Sequence, residues 1–193
     1  HRLNRRQRQM CIRDRGLGVT GHPVRAACFG GKYFFDDDQQ FPDTQYAQFE
    51  YDIDGQKKQL IFEQRIWTPY RLEGYENGCS FYGTKGCLVM GHTTGYRLYG
   101  PKDKLLAQRS GRADLVAHHQ NFLDSVRGDA KPNASIEVGH LSATLVHLAN
   151  IAARTGRVLD FDPSKEEITS DRQANAMLRR RYEPGHWAVP KNV

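Results

Sequence analysis

No hydrophobic run in this 193-residue sequence approaches the roughly 18 apolar residues of a membrane-spanning helix, and no signal-peptide core is visible. Cysteine is scarce. Of Cys11, Cys28, Cys79 and Cys87, none forms a C-x-x-C pair, so neither a zinc knuckle nor a disulfide framework is supported, and small buried residues are expected. The helical metalloprotease pair H-E-x-x-H is missing. Glu137, His140 and His147 could share one flank of a helix, with His118 and His119 on the helix before it, but packed histidines explain that pattern and no metal site is expected. "GCSFYGTKG" lacks the lysine that a phosphate loop places directly after its second glycine, so it reads as a β-turn. No G-x-S-x-G elbow or catalytic-cysteine signature is present.

Excess charge of one sign is also lacking over most of the chain. The net +6 suggests nucleic acid at first sight, yet residues 1–15 hold six arginines and one aspartate, which leaves about +1 for residues 16–193. Within that segment, "MCIRDR" resembles the translation of a transposon-end tag used in preparing sequencing libraries. Residues 1–15 are therefore read as a non-native tag or misassembled sequence; the alternative is a basic arm that orders on meeting an anion. A nucleic-acid module would rest almost wholly on these residues, and no nucleic-acid partner is expected.

"GLGVTG", residues 16–21, has the G-x-G-x-x-G spacing of a dinucleotide loop, with Asp36 to Asp38 about twenty residues on. That motif needs a buried strand before it and a helix after it. Here "RRQRQMCIRDR" precedes and His22-Pro23 follows, leading into strand-like alternation. The expectation is a helix C-terminus whose glycines turn the chain, not a cofactor site.

Residues 24–109 read as strands: "VRAACFGGKYFF" and "TQYAQFEYD" around the polar loop "DDDQQFPD", an Asp54-Gly55 hairpin into "KKQLIFEQRIW", then four short strands from "CSFYG" to "KLLAQR". Connections this short require mainly antiparallel pairing. In the second strand Ala47, Phe49 and Tyr51 should share one face, with Tyr46, Gln48 and Glu50 opposite. From Asp114 the period turns helical. Leu115, His119, Phe122 and Val126 form a stripe ending at Gly128, and Leu141, Leu145, Leu148 and Ala152 face inward from a longer helix capped at Gly156. "VLDFDP" is extended, "SDRQANAMLRRRY" is an exposed third helix, and the rest is a tail. Strands followed by helices predict an α+β fold: an open, mostly antiparallel sheet with helices on one face.

The aromatic-rich "RIWTPYRLEGYENG" (65–78) is the candidate substrate loop. Trp67, Tyr70 and Tyr75 lie around Pro69 and Gly74, with Arg65, Arg71 and Glu73 close by in sequence. Aromatic faces and phenol hydroxyls suit polyols; an aromatic cluster closing a sheet edge is the alternative.

"PVRAACFGGKYFFDDDQQFPDTQ", "FYGTKGCLVM", "HHQNFLDSVRGDAKPNASIEVGHLSATLVHLANIAARTGRVLDFDP" and "RRYEPGHW" resemble the C-terminal domain of the glucose-fructose oxidoreductase/inositol dehydrogenase/rhizopine catabolism (Gfo/Idh/MocA) family, in a bacterial branch abundant in planctomycete-like genomes. The likeness covers about residues 16–193, taken as one domain. It implies a parent with an N-terminal Rossmann domain that binds NAD or NADP, an E-K-P lysine, and a junction helix carrying an acid and a histidine. No matching acid-histidine pattern occurs in residues 1–15. The resemblance implies the substrate-binding and oligomerisation domain of an NAD(P)-dependent oxidoreductase acting on a sugar or polyol, inactive and cofactor-free by itself. Tyr70 and Tyr75 are the expected substrate contacts; no catalytic, cofactor-binding or metal-binding residue is assigned. A homo-oligomer through the sheet face, no membrane partner and a cytoplasmic location are the remaining expectations. A stand-alone carbohydrate-binding or scaffold module without cofactor is the alternative.

Overall fold

The computed structural model of the protein describes residues 16–71, 73–91, 94–111, 114–180, 182–183 and 185. Residues 1–15, and with them the reading of a tag, lie outside the described residues, as does most of the C-terminal tail. The described elements are β1 (Arg25–Gly31), β2 (Thr44–Ile53), β3 (Gln56–Arg65), β4 (Gly78–Gly83), β5 (Gly86–Gly91), β6 (Gly95–Tyr99), β7 (Leu105–Ser110), α1 (Leu115–Arg127), α2 (Ile136–Thr155), β8 (Leu159–Asp162), β9 (Glu167–Ile168) and α3 (Arg172–Ala176). The fold is α+β and its sheets are antiparallel, with the strands divided between two sheets. Two compact units result, one from 16–22 and Arg65–Val146, the other from Pro23–Gln64 and the residues from His147 onward.

In the second unit the strand order is β3-β2-β1-β8-β9. The β2–β3 hairpin turns through Asp54 (φ 51°) and Gly55 (φ 76°), two left-handed residues in the turn type that matches strand twist. Period-two alternation in β2 buries Ala47, Phe49 and Tyr51 and exposes Tyr46, Gln48 and Glu50, as the sequence predicts. Ala26 opposite Phe49, together with Leu159, Phe161 and Ile168, completes the buried strand positions. From the C-terminal half of α2 come Leu148, Ala149, Ile151 and Ala152. Gln45 reaches that helix directly, donating to Asn150 Oδ1 at 3.3 Å. Each large buried apolar side chain of this kind contributes about 1.5–3 kcal/mol.

α2 ends as its sequence dictates: Gly156 takes φ 65° and its N–H reaches the carbonyl of Ala152. α3 is only five residues long and buries Ala174, where the sequence suggests a longer exposed helix. The side chain of Asp171 caps it, accepting from the N–H groups of Gln173 and Ala174. Arg157 pairs with the same carboxylate, and these bonds hold it below the usual carboxylate range, backbone N–H of Ala174 first.

The first unit holds an antiparallel meander, β4-β5-β6-β7. It also holds α1, capped at its start by Asp114, which accepts from Ala117 N–H at 2.8 Å, and closed by left-handed Gly128. Asn121 on α1 clamps the following loop through Lys131 O and Asn133 N–H. The stripe read from the sequence forms but is not covered: Leu115, Phe122 and Val126 are exposed, and α1 buries no residue.

Candidate functional site

Gly78, Gly91 and Gly95 stand opposite one another on β4, β5 and β6, followed by Ser110 on β7. Cross-strand partners point to the same face, so this row leaves one end of the meander without side chains. Tyr75 fills the gap. A Cβ on Gly91 would lie 2.5 Å from Cδ1 of Tyr75 and 2.7 Å from its Cε1, so only glycine admits the ring. Above the ring, 5.3 Å from its centroid, sits the guanidinium of Arg97, half-buried on β6. The same guanidinium covers the Gly74 backbone, with Nη1 3.5 Å from the position of a Cβ there.

Backbone strain gathers at this point. Glu73 has φ 52° and Gly74 φ 78°, a left-handed pair whose first member is not glycine. The turn brings Tyr75 back onto the sheet.

The two expected substrate tyrosines therefore differ. Tyr75 is half-buried beneath Arg97, whereas Tyr70 is 82% exposed, its N–H bonded to Thr68 Oγ1 at 3.3 Å in a local turn. No ring contact joins them among the described residues. Arg97 is the member that sequence reasoning missed, because it lies about twenty residues beyond the loop and reaches Tyr75 only through strand register.

A second built feature is the loop between β1 and β2. Asp43 is fully buried. It accepts from the N–H groups of Tyr33 (3.1 Å), Phe34 (2.8 Å) and Phe35 (2.9 Å) and from the Thr44 hydroxyl (2.8 Å). Burial alone would raise the carboxyl, but those donors outweigh it and hold the group far below the usual carboxylate range. They also end β1 at Gly31 and not at the aromatic run the sequence extends it through, because the N–H groups of residues 33–35 go to Asp43 and not to a neighbouring strand. Tyr33, Phe34 and Phe41 are consequently presented to solvent, with Arg154 stacked on Phe41 at 5.4 Å.

The remaining candidates are quickly placed. Gly16 and Leu17 are helical, Gly18 turns with φ 61°, and no helix starts at Gly21. "GLGVTG" is thus a helix end, without the row of N–H groups that a pyrophosphate requires, and it does not fit a nicotinamide cofactor. Cys28, Cys79 and Cys87 form no disulfide and are half-buried, less enclosed than the sequence suggests. Burial pushes the thiols of Cys28 and Cys87 up, away from the thiolate a nucleophile needs. Glu137, His118, His119 and His147 are exposed and join no cluster of three metal-ligating groups among the described residues, and His140 meets the His22 ring edge-on at 5.3 Å.

Comparison with known proteins gives a family match over part of the chain. Residues 100–188 match the model of an oxidoreductase family's C-terminal alpha/beta domain, that of Gfo/Idh/MocA. This stretch, a little under half of the chain, is similar to that family's C-terminal domain. Among solved structures, the chain is similar to an oxidoreductase from Agrobacterium radiobacter in complex with NAD+, L-tartaric acid and magnesium, at 14% identity over 76% of this chain and 46% of that one, TM-score 0.53. YvaA of Bacillus subtilis matches at 14% identity over 79% and 50%, TM-score 0.58. A Klebsiella pneumoniae protein, also described as an oxidoreductase, matches at 12% identity over 89% and 51%, TM-score 0.56. At such identities the likeness establishes the fold alone. No curated protein matches the sequence. The chain spans about half the length of these solved oxidoreductase structures. Tyr75 and Arg97 lie ahead of the 100–188 match, so their role rests on geometry. No described helix is long and apolar enough to cross a membrane.

Proposed function

We propose that residues 16–193 act as the substrate-binding and oligomerisation domain of an NAD(P)-dependent oxidoreductase that works on a sugar or polyol. The family match over 100–188 carries this reading. The Agrobacterium radiobacter structure, which holds NAD+ and a dihydroxy diacid, supports a nicotinamide cofactor and a hydroxylated substrate for a longer parent. Hydride transfer needs the nicotinamide. "GLGVTG" offers no seat for it, so on this reading its binding belongs to residues upstream of this chain. The chain itself contributes recognition: the Tyr75 ring offers an apolar face to sugar carbons, and the Tyr70 and Tyr75 hydroxyls each offer one hydrogen bond. Location in the cytoplasm belongs to the same proposal.

The test is steady-state kinetics of the protein expressed with its upstream reading frame. Tyr75→Phe or Tyr70→Phe should lower kcat/KM about tenfold, the scale of one lost hydrogen bond, with Tm nearly unchanged. Full activity with a lowered Tm in both variants would make the tyrosines structural and overturn their assignment.

A further inference from the structure

Arg97 is the cation that the substrate reading leaves without a task. It projects from β6 between Val89 on β5 and Gln108 on β7, its cross-strand partners on one face of the meander. Val89 is buried and supplies an apolar floor, while Gln108 is exposed and carries an amide donor. The guanidinium carbon lies 5.3 Å from the Tyr75 ring centroid, and Nη1 and Nη2 lie 3.5 and 3.8 Å from the position of a Cβ on Gly74, so the cation has a fixed seat on the loop. Among the described residues no carboxylate lies within ion-pair distance of it, Glu73 beside Gly74 included. Other cations in this fold do have an acid: Arg25 has Glu50 and Asp160, Lys32 has Asp37, and Arg157 has Asp171. An arginine held in one position by an aromatic ring, half-buried and unneutralised, is the arrangement that binds an anion through paired N–H donors.

We propose that Arg97 binds an anionic group on the substrate, so that the ligand of the Tyr75 site is an acidic sugar carrying a carboxylate or a phosphate and not a neutral polyol. This rests on the reading of Tyr75 as a substrate contact. The ring would then do two things at once, covering the sugar and fixing the cation that selects its charge. Gly91 underlies both, since a side chain there would displace the ring and with it the seat of Arg97.

Nuclear magnetic resonance titration of the full chain tests it, following the Arg97 Nε–Hε and Tyr75 ring signals, with Arg97→Lys used to assign the former. The probes are D-glucuronate, D-glucose 6-phosphate and methyl glucoside. At least one acidic sugar should move both signals with a Kd about tenfold below that of methyl glucoside, and added salt should narrow the gap. Arg97→Gln should erase the preference while leaving methyl glucoside within about twofold. The two acidic probes distinguish carboxylate from phosphate. Equal affinity for neutral and acidic sugars at Tyr75 would overturn the anion assignment and leave the sugar reading standing. If no sugar of either charge moves the Tyr75 signals at millimolar concentration, both readings fall. The comparison within the wild-type chain decides the matter even if Arg97→Gln fails to fold.

Discussion

Asp43 shows most clearly how one residue sets local structure. Its carboxylate replaces a strand partner for three successive N–H groups, and the exposed aromatic loop depends on it. Because its folded-state pKa lies below the ordinary value near ~3.9, the folded chain binds fewer protons there than the unfolded chain. That contribution to stability is complete above about pH 4 and is lost as pH falls through the folded value. Asp43→Asn should therefore lower Tm by several degrees at neutral pH, and the gap from wild type should narrow on acidification below about pH 4. Thermal melts across pH check this; an unchanged Tm at neutral pH would mean the donors find other acceptors. The residue was hidden in the sequence as the last of the polar run "DDDQQFPD", since nothing local marks which aspartate turns inward. Arg97 was hidden for a related reason: its partner is set by register between β5 and β6 and not by spacing.

At the scale of elements, periodicity made most of the fold legible. The alternation in β2, the Asp54-Gly55 turn and the glycine caps of α1 and α2 all follow from local chemistry. Periodicity reports that a face is apolar, not what covers it, and α1 illustrates the difference. Phe122 belongs to a clear apolar stripe yet is 63% exposed. Phe122→Ser should accordingly change the stability of this chain by no more than about 0.5 kcal/mol, as surface substitutions do, whereas a buried Phe would cost about 3 kcal/mol or more. Urea denaturation distinguishes the two. The two-residue β9 and the shortness of α3 escaped the sequence because both are defined by tertiary bonds: Ile168 N–H donates to Asn175 Oδ1, and Asp171 caps over only one turn.

For the whole molecule, the outward face of the five-stranded sheet matters most. Phe29 opposite Tyr46 is 84% exposed, Tyr46 bonds to Glu63 at 3.4 Å, and Ile61 alternates onto the same side as Glu63. An apolar patch of this kind on a sheet favours self-association. Sedimentation should show the chain associating at micromolar concentration, with Phe29→Asp and Ile61→Lys together shifting it to monomer. A wild-type chain that stays monomeric at high micromolar concentration would leave that face without a partner copy. The division of labour proposed for this chain, recognition here and cofactor binding upstream, is tested most directly by the change in nicotinamide absorbance when sugars and sugar acids are added with NAD+ or NADP+. Run in parallel on this chain and on the protein expressed with its upstream reading frame, the assay should show hydride transfer only in the longer protein. Turnover by this chain alone, abolished by replacing Gly16, Gly18 and Gly21, would contradict it, as would a longer protein that reduces neither nicotinamide with any sugar offered.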